Sequence, residues 1–278
     1  MRRILFGLTI LAAAGAGTAA GAQTLRADYA VTLAGLPLGT ADLSSTFEGP
    51  RYTMQFAVKL TGLARMLTGG KGAATASGSI LGLQPQPTAF AVTSRSSSAE
   101  RTVRMGLSAG NVAALDVNPP VDEKADRVAI KEADKRGIVD PLSALLMPVA
   151  GGRGPTDPAN CGRTLPVFDG AARFNVVLSY GETRSVDIPG YRGPVLVCNA
   201  RYVPISGHRA LRPATKFMEE NKDMSVWLAP VAGQKVLVPV RIAVRTMVGM
   251  SVVEASNWSL DPAPAVTPIS TGRASRPE

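Results

Sequence analysis

The residues suited to acid, base or nucleophilic chemistry are few in this chain. His208 is the only histidine, so a hydrolase that pairs a nucleophile with a histidine base would have to use it. It stands in Ser206-Gly207-His208-Arg209, a loop-like context that favours an exposed or packing side chain over a catalytic one. With one histidine, 2 cysteines and 21 acidic residues, the chain is also poor in metal ligands. We therefore expect no metal, no cofactor and no enzymatic activity.

Three further patterns resemble catalytic or phosphate-binding motifs, and each has a structural interpretation. Glu219 and Glu220 are adjacent, so on a helix or strand they point apart and cannot flank one substrate bond. Asp169 precedes a glycine, and in such a turn its carboxylate can bond to nearby backbone. In Gly69-Gly70-Lys71-Gly72, a glycine follows the lysine where a phosphate-binding loop needs Ser or Thr. We expect none of these residues to be catalytic.

The two cysteines, Cys161 and Cys198, favour one structural disulfide. An even number of cysteines is typical of chains that fold in an oxidising compartment. The alternative is a reactive or metal-binding pair. It lacks both a CxxC spacing and the further ligands that a zinc site requires.

Residues 1–22 have the organisation of a secretory signal peptide. Arg2 and Arg3 supply positive charge, residues 4–14 are apolar, and Ala20-Gly21-Ala22 provides the small residues of a cleavage site. The apolar run is shorter than the ~20 residues that span a bilayer, so a cleaved signal is favoured over an anchor. We therefore expect a periplasmic protein without a transmembrane segment after cleavage.

The mature chain would still be basic. Removal of the two arginines in the signal lowers the formal charge from +9 to +7. Aromatic residues make up only 5% of the chain and the charges are spread, so a nucleic-acid surface is not expected. Two interpretations remain. The charge either keeps a solvated exterior soluble, or it meets the anionic headgroups of the cell envelope.

The dominant hydrophobic period is two residues, which indicates strands rather than helices. Many short strands separated by Gly, Pro and Asp are typical of an antiparallel sheet. Turns are predicted at 35–39, 48–50, 169–170 and 232–233. Strands are predicted at 25–34, 40–47, 52–60, 73–81, 87–94, 101–107, 112–117, 173–180, 195–204, 224–229, 236–244 and 250–260.

Helix signals are sparse. A short helix is predicted at 140–147, where Asp140 can cap the first turn, and a weaker one at 215–221. We expect residues 23–260 to form a single, mainly β domain and residues 261–278 to form a disordered tail. A long antiparallel sheet curved around a short helix would make an open, unclosed β-barrel.

The concave face of such a sheet can hold an apolar ligand, or it can be filled core. In the ligand-binding hypothesis, apolar residues of an early strand and a late strand line the interior. They are Tyr52, Met54, Phe56, Val58, Leu60, Val238, Val240 and Ile242. Cavity and core require the same alternation, so both interpretations stay open.

Several segments together resemble a known family. They are Gly35-Leu36-Pro37-Leu38-Gly39, Val167-Phe168-Asp169-Gly170, Arg173-Phe174, the flanking cysteines, Val226-Trp227-Leu228 and Pro239-Val240-Arg241-Ile242. Over roughly residues 25–260 the chain resembles uncharacterised exported Gram-negative proteins of the DUF3108 type. The resemblance implies a periplasmic β-rich domain and supplies no catalytic residues. The architecture is similar to the open β-barrels of the LolA and LolB lipoprotein carriers, which hold acyl chains in an apolar cavity.

Several functions are consistent with these features. The leading hypothesis is a non-enzymatic periplasmic envelope protein that binds a lipid, a lipoprotein segment or another apolar envelope component. The second is an envelope scaffold with a packed interior that binds a protein or peptidoglycan. The third is an esterase-like or lipid-modifying enzyme, which requires His208 in a cleft beside a serine and a carboxylate.

Overall fold

The computed structural model describes residues 22–62, 70–97, 99–150, 152 and 154–262. The predicted signal peptide, apart from Ala22, lies outside the described residues. So do residues 263–278 of the predicted tail.

One antiparallel sheet of 14 strands dominates this part of the chain. The strands are β1 (Gln23–Leu33), β2 (Leu36–Glu48), β3 (Arg51–Leu60), β4 (Lys71–Leu81), β5 (Gln84–Arg95), β6 (Glu100–Ser108), β7 (Asn111–Asn118), β8 (Met147–Pro148), β9 (Arg163–Phe168), β10 (Arg173–Ile188), β11 (Tyr191–Ser206), β12 (Met224–Pro230), β13 (Val236–Thr246) and β14 (Gly249–Pro262). Their spatial order is β7-β6-β5-β4-β3-β2-β1-β14-β13-β12-β11-β10-β9, and β8 pairs with β13. The edge strands β7 and β9 do not pair with each other, so the sheet is open.

The predicted fold class is therefore confirmed: mainly β, antiparallel and not closed. The structure differs from the predicted strands in four places. It starts β2 at Leu36, inside the turn predicted at 35–39, and it adds β8 and β9. It also extends β10 and β11 into a long hairpin and continues β14 to Pro262, past the predicted start of the tail at 261. The predicted helix near 215–221 is present as α1 (Pro213–Glu220).

A stretch of chain enters the concave side of the sheet after β7. We call residues 138–148 the central segment. Asp140 caps it as predicted, because its Oδ1 accepts hydrogen bonds from the backbone N–H groups of Leu142 (3.0 Å) and Ser143 (2.8 Å). The helix predicted at 140–147 is wrong, however. The segment makes one 3-10 turn at Ser143–Leu145 and then becomes β8, because the edge of β13 offers its backbone a partner.

The central segment separates two regions of the interior. The amino-terminal half, β1–β7, packs its concave face onto Ile138, Leu142 and Leu146 of the segment. The carboxy-terminal half, β9–β13, packs onto Val139 and Met147. Neighbouring residues of the segment thus serve different cores.

The predicted disulfide is confirmed. Cys161 and Cys198 are joined, their Cα atoms are 5.4 Å apart, and both are fully buried. The bond ties the chain before β9 to the middle of β11, within the carboxy-terminal half.

Strand β13 departs from the alternation predicted for residues 236–244. Pro239 pairs with Leu228 and Arg241 pairs with Trp227, so Val240 is an extra residue in a β-bulge. A bulge reverses which residues face which side. Ile242 consequently lies on the face of Pro239, whereas Val240 packs in the larger core, which it shares with the concave face of β1–β7.

Candidate functional site

The central segment divides the interior into two apolar cavities. The amino-terminal cavity has a volume of about 400 Å³ and lies between β3–β6 and the segment. The carboxy-terminal cavity has a volume of about 220 Å³ and lies between β9–β13 and the segment. Pro141 and Leu145 line both, so the segment is a shared wall.

One cross-strand row of apolar side chains forms the floor of the amino-terminal cavity. Phe56 pairs with Ala74, Ala74 with Val92, and Val92 with Val103. Alternation places them on one face of four adjacent strands. The small side chain of Ala74 leaves space between larger neighbours, and this space contributes to the cavity.

Polar groups lie along one rim of the amino-terminal cavity. Ser94 of β5 and Arg101 of β6 are cross-strand partners that line the cavity. They lie one row beyond the floor, toward the β5–β6 turn. Arg101 is half-buried, and no ion pair or hydrogen bond joins its guanidinium to another residue in the described part of the chain. Asp169 lies across the cavity, and its Oδ1 accepts hydrogen bonds from the backbone N–H groups of Ala171 (2.8 Å) and Ala172 (2.7 Å). The predicted turn role of Asp169 is confirmed, and Arg101 is the available cation.

Arg101 was not among the predicted site residues, although the sequence contains a signal for it. In β6, Arg101 is in phase with Val103, Met105 and Leu107, which are buried. A charged residue in the inward phase of a strand is unusual.

The carboxy-terminal cavity is smaller and nearly all apolar. Ser225 is the one polar residue among the described residues that line it. The others are Pro141, Ala144, Leu145, Met147, Leu165, Val167, Phe174, Val176, Leu178, Ala200, Met224, Val226, Leu228, Pro239, Ile242, Ala243 and Val244.

The predicted ligand-binding residues do not meet in one cavity. Phe56 lines the amino-terminal cavity and Ile242 the carboxy-terminal cavity. Val58 and Leu60 are half-buried farther along β3 and line neither cavity. The remaining four, Tyr52, Met54, Val238 and Val240, are buried among other core side chains.

A buried polar cluster anchors the central segment to the amino-terminal half. The hydroxyl of Tyr52 donates a hydrogen bond of 2.7 Å to Oγ of Ser143, and burial raises the pKa of Tyr52. Asp140 is fully buried, and its Oδ2 has no hydrogen-bond partner among the described residues. Burial raises the pKa of this carboxyl against the lowering effect of its hydrogen bonds. The cluster is enclosed by protein and lines neither cavity.

The candidate catalytic groups do not form a catalytic set in the described residues. His208 is half-buried just after β11; its Nδ1 has no partner, and no hydrogen bond joins its ring to a serine or a carboxylate. Glu219 and Glu220 end α1 and are exposed. Lys71 begins β4, so it lies in a strand and not in a phosphate-binding loop.

A G-x-S-x-G spacing also occurs, at Gly106-Leu107-Ser108-Ala109-Gly110. In hydrolases this pattern places the serine between a strand and a helix. Here it spans the β6–β7 hairpin, whose turn residues Ala109 and Gly110 have φ of 49° and 74°. The chain returns as a strand, at the end of the sheet opposite to His208.

Comparison with known proteins places the chain in a family. A family model described as "Protein of unknown function (DUF3108)" matches residues 28–256, from β1 into β14. The chain is a DUF3108 protein. The family description assigns no activity to it.

Structure comparison of the DUF3108 protein gives a distant similarity. A crystal structure of a beta-barrel-like protein of domain of unknown function DUF1849 from Brucella abortus is similar at 11% identity, with a TM-score of 0.47. The alignment covers 86% of this chain and 98% of that one. No curated protein sequence matches the chain.

The described part of the DUF3108 protein contains neither a membrane-spanning helix nor a cluster of metal ligands. In residues 22–62, 70–97, 99–150, 152 and 154–262, no helix is long and apolar enough to span a membrane. The same residues contain no group of three or more His, Cys, Asp or Glu side chains placed to hold a metal ion.

Proposed function

We propose that this protein is a non-enzymatic, periplasmic envelope protein that binds the acyl chain of a lipid or lipoprotein in the amino-terminal cavity. The observation that carries the proposal is a cavity of about 400 Å³ with an apolar floor and a cation at its rim, Arg101, which forms no ion pair with any residue that the structure describes. This volume falls in the range of about 300–1,000 Å³ that small-molecule sites occupy.

The composition of the cavity argues for an apolar occupant rather than water. A buried water needs two to four polar partners, and apolar cavities of roughly 150 Å³ stay dry and accept apolar molecules. The floor row of Phe56, Ala74, Val92 and Val103 offers no such partner. An acyl chain would cover this surface and gain about 25 cal/mol for each Å² removed from water.

The rim gives the ligand a direction. An Arg guanidinium binds carboxylate and phosphate oxygens with paired hydrogen bonds. With the chain on the floor row, an anionic headgroup would lie against Arg101 and Ser94, near the open end. The proposed ligand class is therefore an anionic amphiphile.

The export signal and the disulfide support a periplasmic site of action, because disulfides persist in oxidising compartments. The architecture that the sequence resemblance implies, similar to that of the LolA and LolB carriers, agrees with acyl-chain binding and supplies no residue of the site.

The test is to purify the protein from the periplasm without detergent and to measure bound lipid by native mass spectrometry and by analysis of the organic extract. We expect stoichiometric lipid in the wild type. Ala74→Phe fills the cavity floor and should abolish retention, whereas Arg101→Gln should weaken it and change the headgroup composition.

A matched variant controls for general effects on packing. Val176→Phe adds the same side chain to the wall of the carboxy-terminal cavity and should leave lipid retention unchanged. Wild-type protein free of lipid, or equal retention by Ala74→Phe, would contradict the proposal and favour the scaffold hypothesis.

A further inference from the structure

Two neighbouring hairpin turns expose large apolar side chains at one end of the sheet. Leu36 follows the β1–β2 turn and is 68% exposed, while Met247 (59%) and Val248 (71%) form the β13–β14 turn. We call these three residues the apolar tip. The backbone N–H of Ala34 donates to the carbonyl of Met250 at 2.9 Å, so the turns lie side by side. Residues 33–39 and 246–250 contain no charged side chain.

A row of basic residues lies at the same end on the outer face. Lys59 of β3 pairs with Lys71 of β4, which pairs with Arg95 of β5. Arg95 forms an ion pair with Glu100, whereas the ion pairs among the described residues include neither lysine. Like charges directly opposite each other destabilise a sheet. The two lysines therefore form a site of uncompensated positive charge.

The tip and the two lysines lie close enough to act on one surface. Lys59 is paired with Thr40 of β2. Thr40 is four residues from Leu36, and at the usual rise per residue these two positions are about 13 Å apart along the strand. The row of Ser94 and Arg101 approaches the same end from the concave side. At the opposite end, Leu81 and Leu83 are also exposed, but they belong to a single hairpin.

We propose that this end of the sheet docks on an anionic phospholipid bilayer. The apolar tip would enter the boundary between headgroups and acyl chains, and Lys59 and Lys71 would lie over the lipid phosphates. Apolar side chains beside basic residues are the combination that binds this interface. The apolar side chains are exposed at hairpin turns and line neither of the two cavities, which favours a deformable lipid surface over a folded protein partner.

This inference goes beyond the proposed function, since docking requires no ligand in the amino-terminal cavity. The two can fail separately. Lipid retention is measured in the absence of vesicles, and docking is measured by vesicle binding of variants whose cavity is unchanged.

The experiment is co-sedimentation of the protein with vesicles of phosphatidylglycerol and phosphatidylethanolamine. The protein is purified from the periplasm without detergent. Vesicles of phosphatidylcholine serve as the neutral comparison. We expect binding to the anionic vesicles only, weakening as salt is raised. The double variant Lys59→Gln/Lys71→Gln should bind about thirtyfold more weakly, at about fivefold per lysine.

The triple variant Leu36→Ser/Met247→Ser/Val248→Ser should bind at least about tenfold more weakly, because less apolar surface enters the interface. Lys59→Arg/Lys71→Arg retains the charge and should bind like the wild type. The matched control is Leu81→Ser/Leu83→Ser, which removes exposed apolar residues from the other end and should also bind like the wild type.

Circular dichroism and thermal unfolding identify any variant that fails to fold. Absence of wild-type binding to anionic vesicles would overturn the proposal, and so would unchanged binding by a folded tip variant. Loss of binding in the Leu81→Ser/Leu83→Ser control would place the contact at the opposite end and overturn it equally.

Discussion

The two halves of the sheet differ in how tightly their concave faces are packed and cross-linked. In the amino-terminal half, consecutive hairpins pair in chain order and leave the larger cavity, with no covalent link among its described residues. In the carboxy-terminal half, a disulfide, the bulged strand β13 and the pairing with β8 enclose a smaller cavity. We infer that the carboxy-terminal half fixes the end of the central segment through β8, whereas the amino-terminal half holds its start and leaves the larger space beside it.

Removal of the disulfide tests this division most strongly. For a sequence separation of 37 residues, the chain-entropy estimate is a loss of about 4 kcal/mol. We expect the double variant Cys161→Ser/Cys198→Ser to lose nearly this much stability in urea unfolding. Because strands β3–β6, which form the floor of the amino-terminal cavity, lie outside the disulfide loop, lipid retention should persist wherever the variant remains folded. If the folded variant no longer retains lipid, the amino-terminal cavity depends on the disulfide, and the proposed division between the two halves is wrong.

The tip of the long β10–β11 hairpin is the next place to perturb the carboxy-terminal half. Gly190 has a φ of 85°, and a Cβ there would overlap the carbonyl oxygen of Trp258. The backbone N–H of Trp258 donates to the carbonyl of Pro189 at 2.8 Å, so the tip is docked on β14. Gly190→Ala should cost about 3 kcal/mol, because it combines backbone strain with a steric clash.

The control for this variant is Arg192→Ala, measured by the same thermal and urea unfolding. The ion pair of Arg192 with Asp187 is exposed, and its loss should change stability by less than about 0.5 kcal/mol. Equal effects of the two variants would show that the hairpin tip is not docked through Gly190.

A smaller effect is expected from the hydrogen bond that joins the amino-terminal half to the central segment. Tyr52→Phe removes the donor to the buried Oγ of Ser143 and should cost about 1–2 kcal/mol. Tyr29→Phe is a useful parallel, since its hydroxyl donates to the Pro239 carbonyl of β13 at 2.7 Å. If Tyr52→Phe had no effect in urea unfolding, the central segment would be held by the carboxy-terminal half alone.

The smallest expected effect is a pH dependence from Asp140. Burial raises its pKa in the folded state, so the folded protein binds this proton more tightly than the unfolded chain. The stabilising contribution of protonated Asp140 is greatest below the pKa of the unfolded chain, near 3.8. It is lost as the pH rises through the pKa of the folded state. Asp140→Asn keeps an oxygen that can accept the two backbone hydrogen bonds and cannot ionise. It should flatten the fall in stability above pH 4, measured by urea unfolding across pH.

The strands were predictable wherever one face is buried and the other is solvated, as in β3. Strands or parts of strands without this two-sided pattern were missed. Strand β9 was missed because Pro166 interrupts an edge strand, and β10 extends past Gly181 with mostly exposed residues. The bulge at Val240 breaks the phase of β13 without any change in its apolar composition.

The candidate site was predictable only in part. Phe56 faces the amino-terminal cavity, but Met54, two residues earlier, is completely buried. Alternation assigns both to the concave face and says nothing about how much of that face the central segment covers. That depends on where the chain after β7 folds back into the sheet, a long-range property of the whole domain.

The pairing of β1 with β14 has a consequence for protein engineering. Gln23 is opposite Pro262, so β1 and β14 are neighbours in the middle of the sheet, and the start of β1 lies beside the end of β14. A short linker between these ends would permit circular permutation, with new termini in the exposed turn at Gly49 and Pro50 between β2 and β3. Such a permutant would make β3 the first strand and would convert the β2–β3 hairpin into a contact between the two ends of the chain.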